Sequence, residues 1–284
     1  MGNTLTLITL VLVATVLATV LHGAWRWQSG TRELRARLAA ARAPTPTQRV
    51  DFREIDGLPA PVQRYFRAAL RDGQAMVAGV RLRHAGRFNL SESAEQWKAF
   101  TSEQLVVTRR PGFDWNARIV LLPGVPVLVH DAYVAGEGLL HASLLGVFSL
   151  AQLRGTGALA DGELMRFFAE AAWYPTALLP SQGVRWETRD ERSARATLTD
   201  GERSVTLLFT FNESGLIDTV HAAARARSVG ATSVPTPWRG RFWNYAARDG
   251  MQVPLEGEVS WELPEGPRAY WRGTISGVDY EWVR

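Results

Sequence analysis

The stretch RDGMQVPLEGEVSWELPEG, residues 248–266, decides the fold class of this chain. It opens with the turn signal Asp249-Gly250, after which apolar residues and Gly alternate with Glu and Ser. The residues of one parity are Val253, Leu255, Gly257, Val259, Trp261 and Leu263. Alternation of this kind is typical of a strand that has one covered face and one solvated face. The stretch therefore predicts one complete antiparallel strand, bounded by two tight turns.

The same alternation recurs through most of the chain from Val77 onward. The clearest apolar faces are those of Val80, Leu82, His84, Gly86 and Phe88, of Phe113, Trp115, Ala117, Ile119 and Leu121, and of Val127, Val129, Asp131 and Tyr133. Turn signals separate these runs, for example at residues 109–112 and 122–126. Short strands joined by tight turns predict an antiparallel meander of roughly ten strands. In the last strand the parity changes after Ile275, which predicts a bulge near Gly277.

Two helices accompany the predicted strands. In the segment LPAPVQRYFRAALRDG, residues 58–73, the apolar positions recur at helical spacing: Val62, Tyr65, Phe66, Ala69 and Leu70. A second, central helix is predicted over residues 161–173, with Asp161 as its N-cap. The predicted fold class is therefore mainly β (α+β), a strongly curved antiparallel sheet or open barrel with one or two packed helices. Residues 59–284 are predicted to form a single β-rich domain.

An apolar segment precedes this domain. The stretch LTLITLVLVATVLATVL, residues 5–21, contains no charge, and Trp25 and Trp27 follow it where an interfacial aromatic belt would lie. A cleaved signal peptide is the alternative, but the basic n-region and the shorter apolar region of such a peptide are missing. We therefore predict an N-terminal transmembrane helix as an anchor over residues 1–27, followed by a juxtamembrane basic helix and linker over residues 28–58.

The charges that flank the apolar segment predict its orientation. No Lys or Arg precedes it, whereas five arginines follow it: Arg26, Arg32, Arg35, Arg37 and Arg42. The positive-inside rule then favours a cytoplasmic main domain of a single-pass protein in the cell membrane. An extracytoplasmic domain stays open as the alternative.

Composition excludes several classes of function. The chain has no cysteine, which rules out disulfides, thiolate metal sites and cysteine nucleophiles. Its five histidines do not form the spacing of a zinc protease, and no phosphate-binding glycine motif follows a predicted strand. The net charge of +4 arises from arginines scattered along strands, which does not indicate a nucleic-acid partner. We expect no metal and no cofactor.

Polar residues on apolar strand faces are the first candidates for a site. His84 and Asp131 both lie on the covered parity of their strands. A buried carboxylate needs a partner, and we expect an Arg from a neighbouring strand to pair with Asp131. Each residue is either a polar group in a ligand cavity or a satisfied structural residue. The aromatic residues Trp115 and Tyr133 share these faces and join the candidate ligand-binding set.

The segment FFAEAAWYPTALLPSQG, residues 167–183, supplies the remaining candidates. Glu170 and Arg166 are spaced as an i, i+4 ion pair, and Trp173 lies on the same side of the helix. If this side faces the sheet, Glu170 lines a cavity with Trp173 and Tyr174; if it faces water, Glu170 is an ordinary surface residue. The sequence assigns no catalytic residue, and Glu170 and Asp131 are the candidates.

The ordered motifs of the β-rich region also resemble a known family. They are GFDWNARI, VLVHDAYVAGEGLL and DGELMRFFAEAAWYPTALLP within residues 112–180, followed by PWRGRFWNYAARDGMQVPLEGEVSWELPEG and YWRGTISGVDYEW. They are similar to an uncharacterised bacterial family that pairs an N-terminal membrane segment with a large β-rich domain of unknown function. The resemblance covers most of residues 59–283. It implies the single-domain architecture and no particular reaction, cofactor or catalytic residue.

Three hypotheses for function follow. The first is a membrane-anchored module that binds a lipid or other hydrophobic ligand in the concavity of the sheet, because aromatic residues and an apolar loop accompany the anchor. The second is an enzyme that uses Glu170 and Asp131 as acid–base groups in the same cavity. The third is a membrane-associated scaffold. The expected partners are the lipid bilayer and a hydrophobic small molecule or lipid, no nucleic acid is expected, and the sequence leaves a protein partner open.

Overall fold

Thirteen antiparallel strands form one sheet in the computed structural model, which describes residues 2–45, 47–91, 94–230 and 232–283. The strands are β1 (Val77–Asn89), β2 (Trp97–Val107), β3 (Gly112–Leu122), β4 (Val125–Val134), β5 (Glu137–Leu144), β6 (Phe148–Gly155), β7 (Arg185–Asp190), β8 (Ser193–Asp200), β9 (Arg203–Phe211), β10 (Ile217–Val229), β11 (Thr232–Arg248), β12 (Met251–Leu263) and β13 (Gly266–Trp282). Their order is β6-β5-β4-β3-β2-β1-β13-β12-β11-β10-β9-β8-β7. The fold is mainly β and the sheet is antiparallel, as predicted. The sheet is not closed, because its edge strands β6 and β7 do not pair with each other.

The predicted count of roughly ten strands was too low. Strand β6 shows the physical reason, because it lies at the edge of the sheet and is exposed along almost its whole length. A strand without a covered face leaves no alternation of apolar and polar residues to recognise. The predicted bulge near Gly277 is confirmed, since Arg83 pairs with Gly277 whereas His84 pairs with Ile275.

Three α-helices and four short 3-10 helices accompany the sheet in the described part of the chain. They are α1 (Gly2–Ala40), α2 (Ala60–Ala69), α3 (Ala158–Glu170) and the 3-10 helices Phe52–Ile55, Ala171–Trp173, Pro175–Leu178 and Pro180–Gln182. Helix α3 begins before the predicted residue 161, and Gly157 rather than Asp161 is its N-cap residue. Asp161 instead binds Arg203 of β9, so a contact to another element replaces the predicted capping bond.

The two faces of the sheet differ in what covers them. The apolar residues of α2 pack into the main core, as its helical period predicted: Val62, Tyr65, Phe66, Ala69 and Leu70. Helix α3 buries Leu164, Phe167 and Phe168 in the same core. We call the face of the sheet that packs against α3 the inner face. Because side chains alternate along a strand, neighbours such as Asp114 and Asn116 point to the opposite, outer face.

Helix α1 is continuous through the apolar and the basic segments, and its second half packs on the outer face. Trp27 stacks on His130 of β4 with ring centroids 4.4 Å apart, and Leu34 and Leu38 are buried. The side chains from Leu5 to Leu21 are exposed, except that of Val20, which is half-buried. Among the described residues, this is the one helix that is long and apolar enough to cross a membrane.

Candidate functional site

A cavity of about 490 Å³ lies between the inner face of the sheet and helix α3. Most of the residues around it are apolar. The aromatic ones are Phe88, Trp115, Trp173, Trp238, Phe242, Tyr270 and Trp271. The aliphatic ones are Leu90, Ile119, Leu121, Val127, Val129, Leu140, Ala142, Leu150, Ala169 and Val259. A concave apolar site of this size with a few polar groups is typical of binding sites for small molecules.

Arg166 organises the polar part of the cavity wall. Its Nε donates to Glu170 Oε1 over 2.8 Å, and its Nη1 donates to Asp131 Oδ2 over 2.5 Å. The guanidinium also lies 5.0 Å from the ring centroids of both Phe113 and Trp115, at cation–π distance. Burial lowers the pKa of Arg166 while the facing carboxylates raise it, and the net direction is upward.

Gln104 of β2 completes this part of the network. Its Nε2 donates to Glu170 Oε2 over 2.6 Å, so both oxygens of Glu170 accept a hydrogen bond. The side chain of Glu170 is 13 % exposed, and that of Asp131 is 17 % exposed. The two carboxylates therefore share one guanidinium at the border between the cavity and the protein interior.

A second buried arginine, Arg225 of β10, forms the other half of the polar wall. Its Nη2 donates to Glu163 Oε1 over 3.1 Å, and its Nε donates to the carbonyl oxygen of Gly162 over 3.0 Å. The guanidinium lies 5.2 Å from the ring centroid of Trp238, and Nη1 donates to Tyr270 Oη over 3.3 Å. Helix α3 is thus joined to the two halves of the sheet through one arginine on each side.

Glu163 and Asp131 connect the two halves. Burial raises the pKa of Glu163 to about 8, and the Asp131 charge adds to the shift. Glu163 Oε2 and Asp131 Oδ1 are both buried and have no hydrogen-bond partner among the described residues. A proton on Glu163 turns this pair of acceptors into a donor and an acceptor. It also balances the cluster, because two arginines then face the two charged carboxylates of Asp131 and Glu170.

The structure brings four of the seven predicted ligand-binding residues to the cavity wall: Trp115, Asp131, Glu170 and Trp173. The predicted i, i+4 pair of Arg166 and Glu170 is confirmed. The partner of Asp131 was predicted on a neighbouring strand, and this was wrong, because Arg166 of α3 reaches across to it. The residues opposite Asp131 on the two neighbouring strands are Trp115 and Leu140, so neither strand presents an Arg at this position.

The remaining three predicted residues lie outside the cavity lining. Tyr174 is fully buried, and its hydroxyl donates to the carbonyl oxygen of Phe167 over 2.6 Å. The hydroxyl of Tyr133 donates to Asp200 Oδ2 over 2.8 Å. His84 packs beside Trp173, with ring centroids 5.1 Å apart. Burial and the Arg166 charge lower its pKa to about 3, so it is neutral at neutral pH.

Sequence reasoning missed Arg225 and Gln104. Arg225 follows Ala222 with odd spacing, and a bulge between them turns the arginine to the covered side. Gln104 lies on the covered parity of β2 and is fully buried, which is a signal of the same kind as that of Asp131. The described residues contain no group of three or more His, Asp or Glu side chains that could hold a metal ion.

Two solved structures show a distant similarity to this chain. The chain is similar to a LolA-superfamily protein from Nitrosomonas europaea, with 12% sequence identity and a TM-score of 0.34, over 79% of this chain and 94% of that one. It is also similar to a β-barrel-like protein of the DUF1849 domain of unknown function from Brucella abortus, with 12% identity and a TM-score of 0.18, over 73% and 99% of the two chains. No curated protein matches the chain.

A family model gives the firmer assignment. It matches residues 56–280, which include α2, α3 and the strands from β1 to β13 except for the last two residues of β13. The matched region carries every residue of the cavity wall and of its polar network. This chain belongs to the DUF6920 family, a family of unknown function.

Proposed function

We propose that this protein is a membrane-anchored binding protein that holds a lipid or other hydrophobic ligand between the sheet and α3. The single observation that carries the proposal is the cavity of about 490 Å³, whose wall is mostly aromatic and aliphatic. Apolar surface that faces a cavity is stabilised when an apolar ligand removes it from water. Cavities of this size accept one small amphiphile or part of a larger lipid.

The polar part of the cavity wall favours a ligand whose head group is uncharged. Arg166 is engaged by Asp131 and Glu170, and Arg225 is engaged by Glu163. With a proton on Glu163, the charges in this cluster cancel. An additional charge in the ligand would be buried without a counter-ion, which is costly. Hydroxyl or ester groups can contact such a neutral, polarised wall without that cost.

The geometry of helix α1 supports an uncleaved membrane anchor. The second half of the helix is part of the fold, because Trp27, Leu34 and Leu38 are buried against the sheet. Removing the apolar half as a signal peptide would cut a continuous helix next to its packed segment. We therefore include in the proposal an anchor over residues 1–27, a juxtamembrane segment over 28–58 and a single β-rich domain over 59–284.

The proposal also includes the side of the membrane on which the main domain lies. We favour a cytoplasmic main domain because the arginines lie after the apolar segment and none precedes it. Several of these arginines also bind the sheet, for example Arg35 to Asp114 and Arg37 to Glu137. A cysteine introduced at exposed Glu213 and treated with a membrane-impermeant thiol reagent on intact cells tests the side. Labelling only after lysis supports the cytoplasmic assignment, and labelling of intact cells contradicts it.

Native mass spectrometry of the full-length protein, extracted in mild detergent, tests the binding function. We expect a bound species whose mass matches a lipid recovered by solvent extraction of the same sample. A protein that carries no lipid, and that takes up none after incubation with membrane lipid extract, would contradict the proposal.

A second candidate function is an acid–base enzyme that acts on the bound lipid. It is supported by the placement of Asp131 and Glu170 on the wall of one cavity. Both carboxylates bind Arg166, so either would have to leave that ion pair to move a proton. Incubation with membrane lipid extract, followed by mass spectrometry, separates the two functions. An enzyme produces new lipid species that are lost in Glu170→Gln, whereas a binding protein returns the lipids unchanged.

A further inference from the structure

Two hairpin turns lie beside the point where α1 leaves the sheet. The β5–β6 turn contacts α1 directly, because Arg26 Nη2 donates to the carbonyl oxygens of Gly146 and Val147 over 2.9 and 3.0 Å. The β3–β4 turn lies next to it, since the backbone N–H of Leu145 donates to the carbonyl oxygen of Pro126 over 3.0 Å. Helix and both turns therefore form one junction.

Close packing at Gly23 fixes this junction. A Cβ atom at Gly23 would lie 2.6 Å from the carbonyl oxygen of Leu145, and one at Gly146 would lie 2.6 Å from the carbonyl oxygen of Gly23. Neither residue therefore has room for a side chain, and helix and turn meet backbone to backbone. The height of the two hairpin tips along α1 is set by this contact.

Large apolar side chains are exposed at these two tips. Leu122 is 63 % exposed at the end of β3, and Phe148 and Leu150 are 61 % and 57 % exposed at the start of β6. Single exposed apolar residues are common on protein surfaces, whereas a group of them at one site indicates contact with a partner or a membrane. In the described residues, these are the most exposed large apolar side chains outside α1.

The length of the apolar part of α1 places the two hairpin tips at the boundary of a bilayer. From Leu5 to Gly23 an α-helix rises about 27 Å, and a hydrocarbon core is roughly 30 Å thick. A core that contains the uncharged segment from Leu5 to Leu21 therefore ends close to Gly23. Arg26 and Lys98 lie at the same junction, the latter with Nζ 3.4 Å from the carbonyl oxygen of Leu121. Basic side chains at this height suit lipid head groups.

The cavity reaches the same end of the molecule. Leu121, which precedes the β3–β4 turn, and Leu150 of β6 both line it, as does Leu90 in the connection after β1. Leu150 is thus part of the cavity wall and 57 % exposed at once. The polar cluster of Arg166 lies farther along the inner face, where Asp131 pairs with Trp115 of β3.

We infer that the β3–β4 and β5–β6 tips dip into the lipid bilayer and that the cavity opens between them toward the membrane. A ligand then passes from the bilayer into the cavity without crossing water, with its apolar part leading past Leu121 and Leu150. The inference rests on the proposed anchor and ligand cavity, and it adds the surface through which the two communicate.

Single cysteines test the inference, because the chain has none of its own. We choose Phe148→Cys and Leu122→Cys at the tips, and Ala135→Cys in the turn at the opposite end of β4 as the matched control. Val13→Cys in the apolar helix reports on the anchor. Each full-length variant carries an environment-sensitive fluorophore and is reconstituted in vesicles of phosphatidylcholine and phosphatidylglycerol. Quenching by nitroxide groups on lipid acyl chains is compared with quenching by aqueous iodide.

The inference predicts several-fold stronger lipid quenching at positions 148 and 122 than at position 135, and the reverse order for iodide. If positions 148 and 122 respond as position 135 does while position 13 is quenched by lipid, the membrane-dipping surface is wrong and the anchor stands. If position 13 is also open to iodide, the anchor itself is wrong and the inference fails with it. The binding function is measured separately by lipid mass spectrometry and does not depend on either result.

Discussion

Asp131 of β4 and Glu170 at the end of α3 accept hydrogen bonds from the same guanidinium, that of Arg166, over 2.5 and 2.8 Å. The pair ties the helix to the inner face of the sheet at the wall of the cavity. An arrangement of two buried carboxylates around one arginine holds the helix in place only while all three charges are present. The position of α3, and with it the shape of the cavity, depends on this relationship.

Removal of the shared arginine gives the first prediction. We expect Arg166→Met to lower the free energy of unfolding by about 3–5 kcal/mol, because two carboxylates lose their counter-ion in a largely buried site. The matched control is Arg185→Met, which removes an exposed ion pair with Glu187 and should cost about 0–1 kcal/mol. Thermal unfolding of the detergent-solubilised proteins measures both. Equal shifts in the two variants would show that the Arg166 cluster does not hold the fold.

The carboxyl of Glu163 gives a prediction on pH. Its pKa is raised from 4.5 to about 8 in the folded state, so between these values the folded protein holds a proton that the unfolded chain has lost. The contribution of Glu163 to stability is therefore full below pH 4.5 and is lost as the pH rises toward about 8, at up to about 1.4 kcal/mol per pH unit.

Glu163→Gln tests this dependence, because the amide keeps a donor for Asp131 and an acceptor for Arg225 without titrating. We expect the unfolding midpoint of Glu163→Gln to fall less steeply than that of the unmodified protein as the pH rises through this window. The control Glu187→Gln, at an exposed position, should leave the slope unchanged. Parallel curves for Glu163→Gln and the unmodified protein would show that no proton resides on Glu163.

Two glycines of α1 give a matched pair of substitutions. Gly23→Ala places a methyl group against the carbonyl oxygen of Leu145 and should destabilise the packed helix by about 1–3 kcal/mol. Gly30→Ala meets no atom within 4 Å and should stabilise the helix, by up to about 1 kcal/mol. Unfolding midpoints that shift in the same direction for both variants would contradict the packing described at Gly23.

The sequence predicted those parts of the fold whose burial repeats along one element. Burial alternates along strands such as β9 because one face is covered, and the helix around Arg166 shows its ion pair at i, i+4 spacing. Contacts between elements leave no such signal. The pairing of Asp131 with α3 depends on where the helix crosses the sheet, and the inward turn of Arg225 depends on a bulge. Both features of the site became visible only in three dimensions.

The candidate site was predictable to a similar extent. Aromatic and polar residues on covered parities pointed to Trp115, Asp131, Glu170 and Trp173, which line the cavity. The same reasoning included Tyr133 and His84, which are covered by other side chains instead of by a cavity. Periodicity shows which residues are buried, but it does not show whether protein atoms or an open space lie against them.

The central claim, that a hydrophobic ligand occupies the cavity, is tested most directly by blocking it. Ala142 lines the cavity, whereas Ala247 of β11 is exposed and lies outside the lining. We predict that native mass spectra of full-length Ala142→Phe show a several-fold loss of bound lipid, while Ala247→Phe keeps the lipid content of the unmodified protein. Equal lipid content in the two variants, with both proteins folded, would contradict the claim.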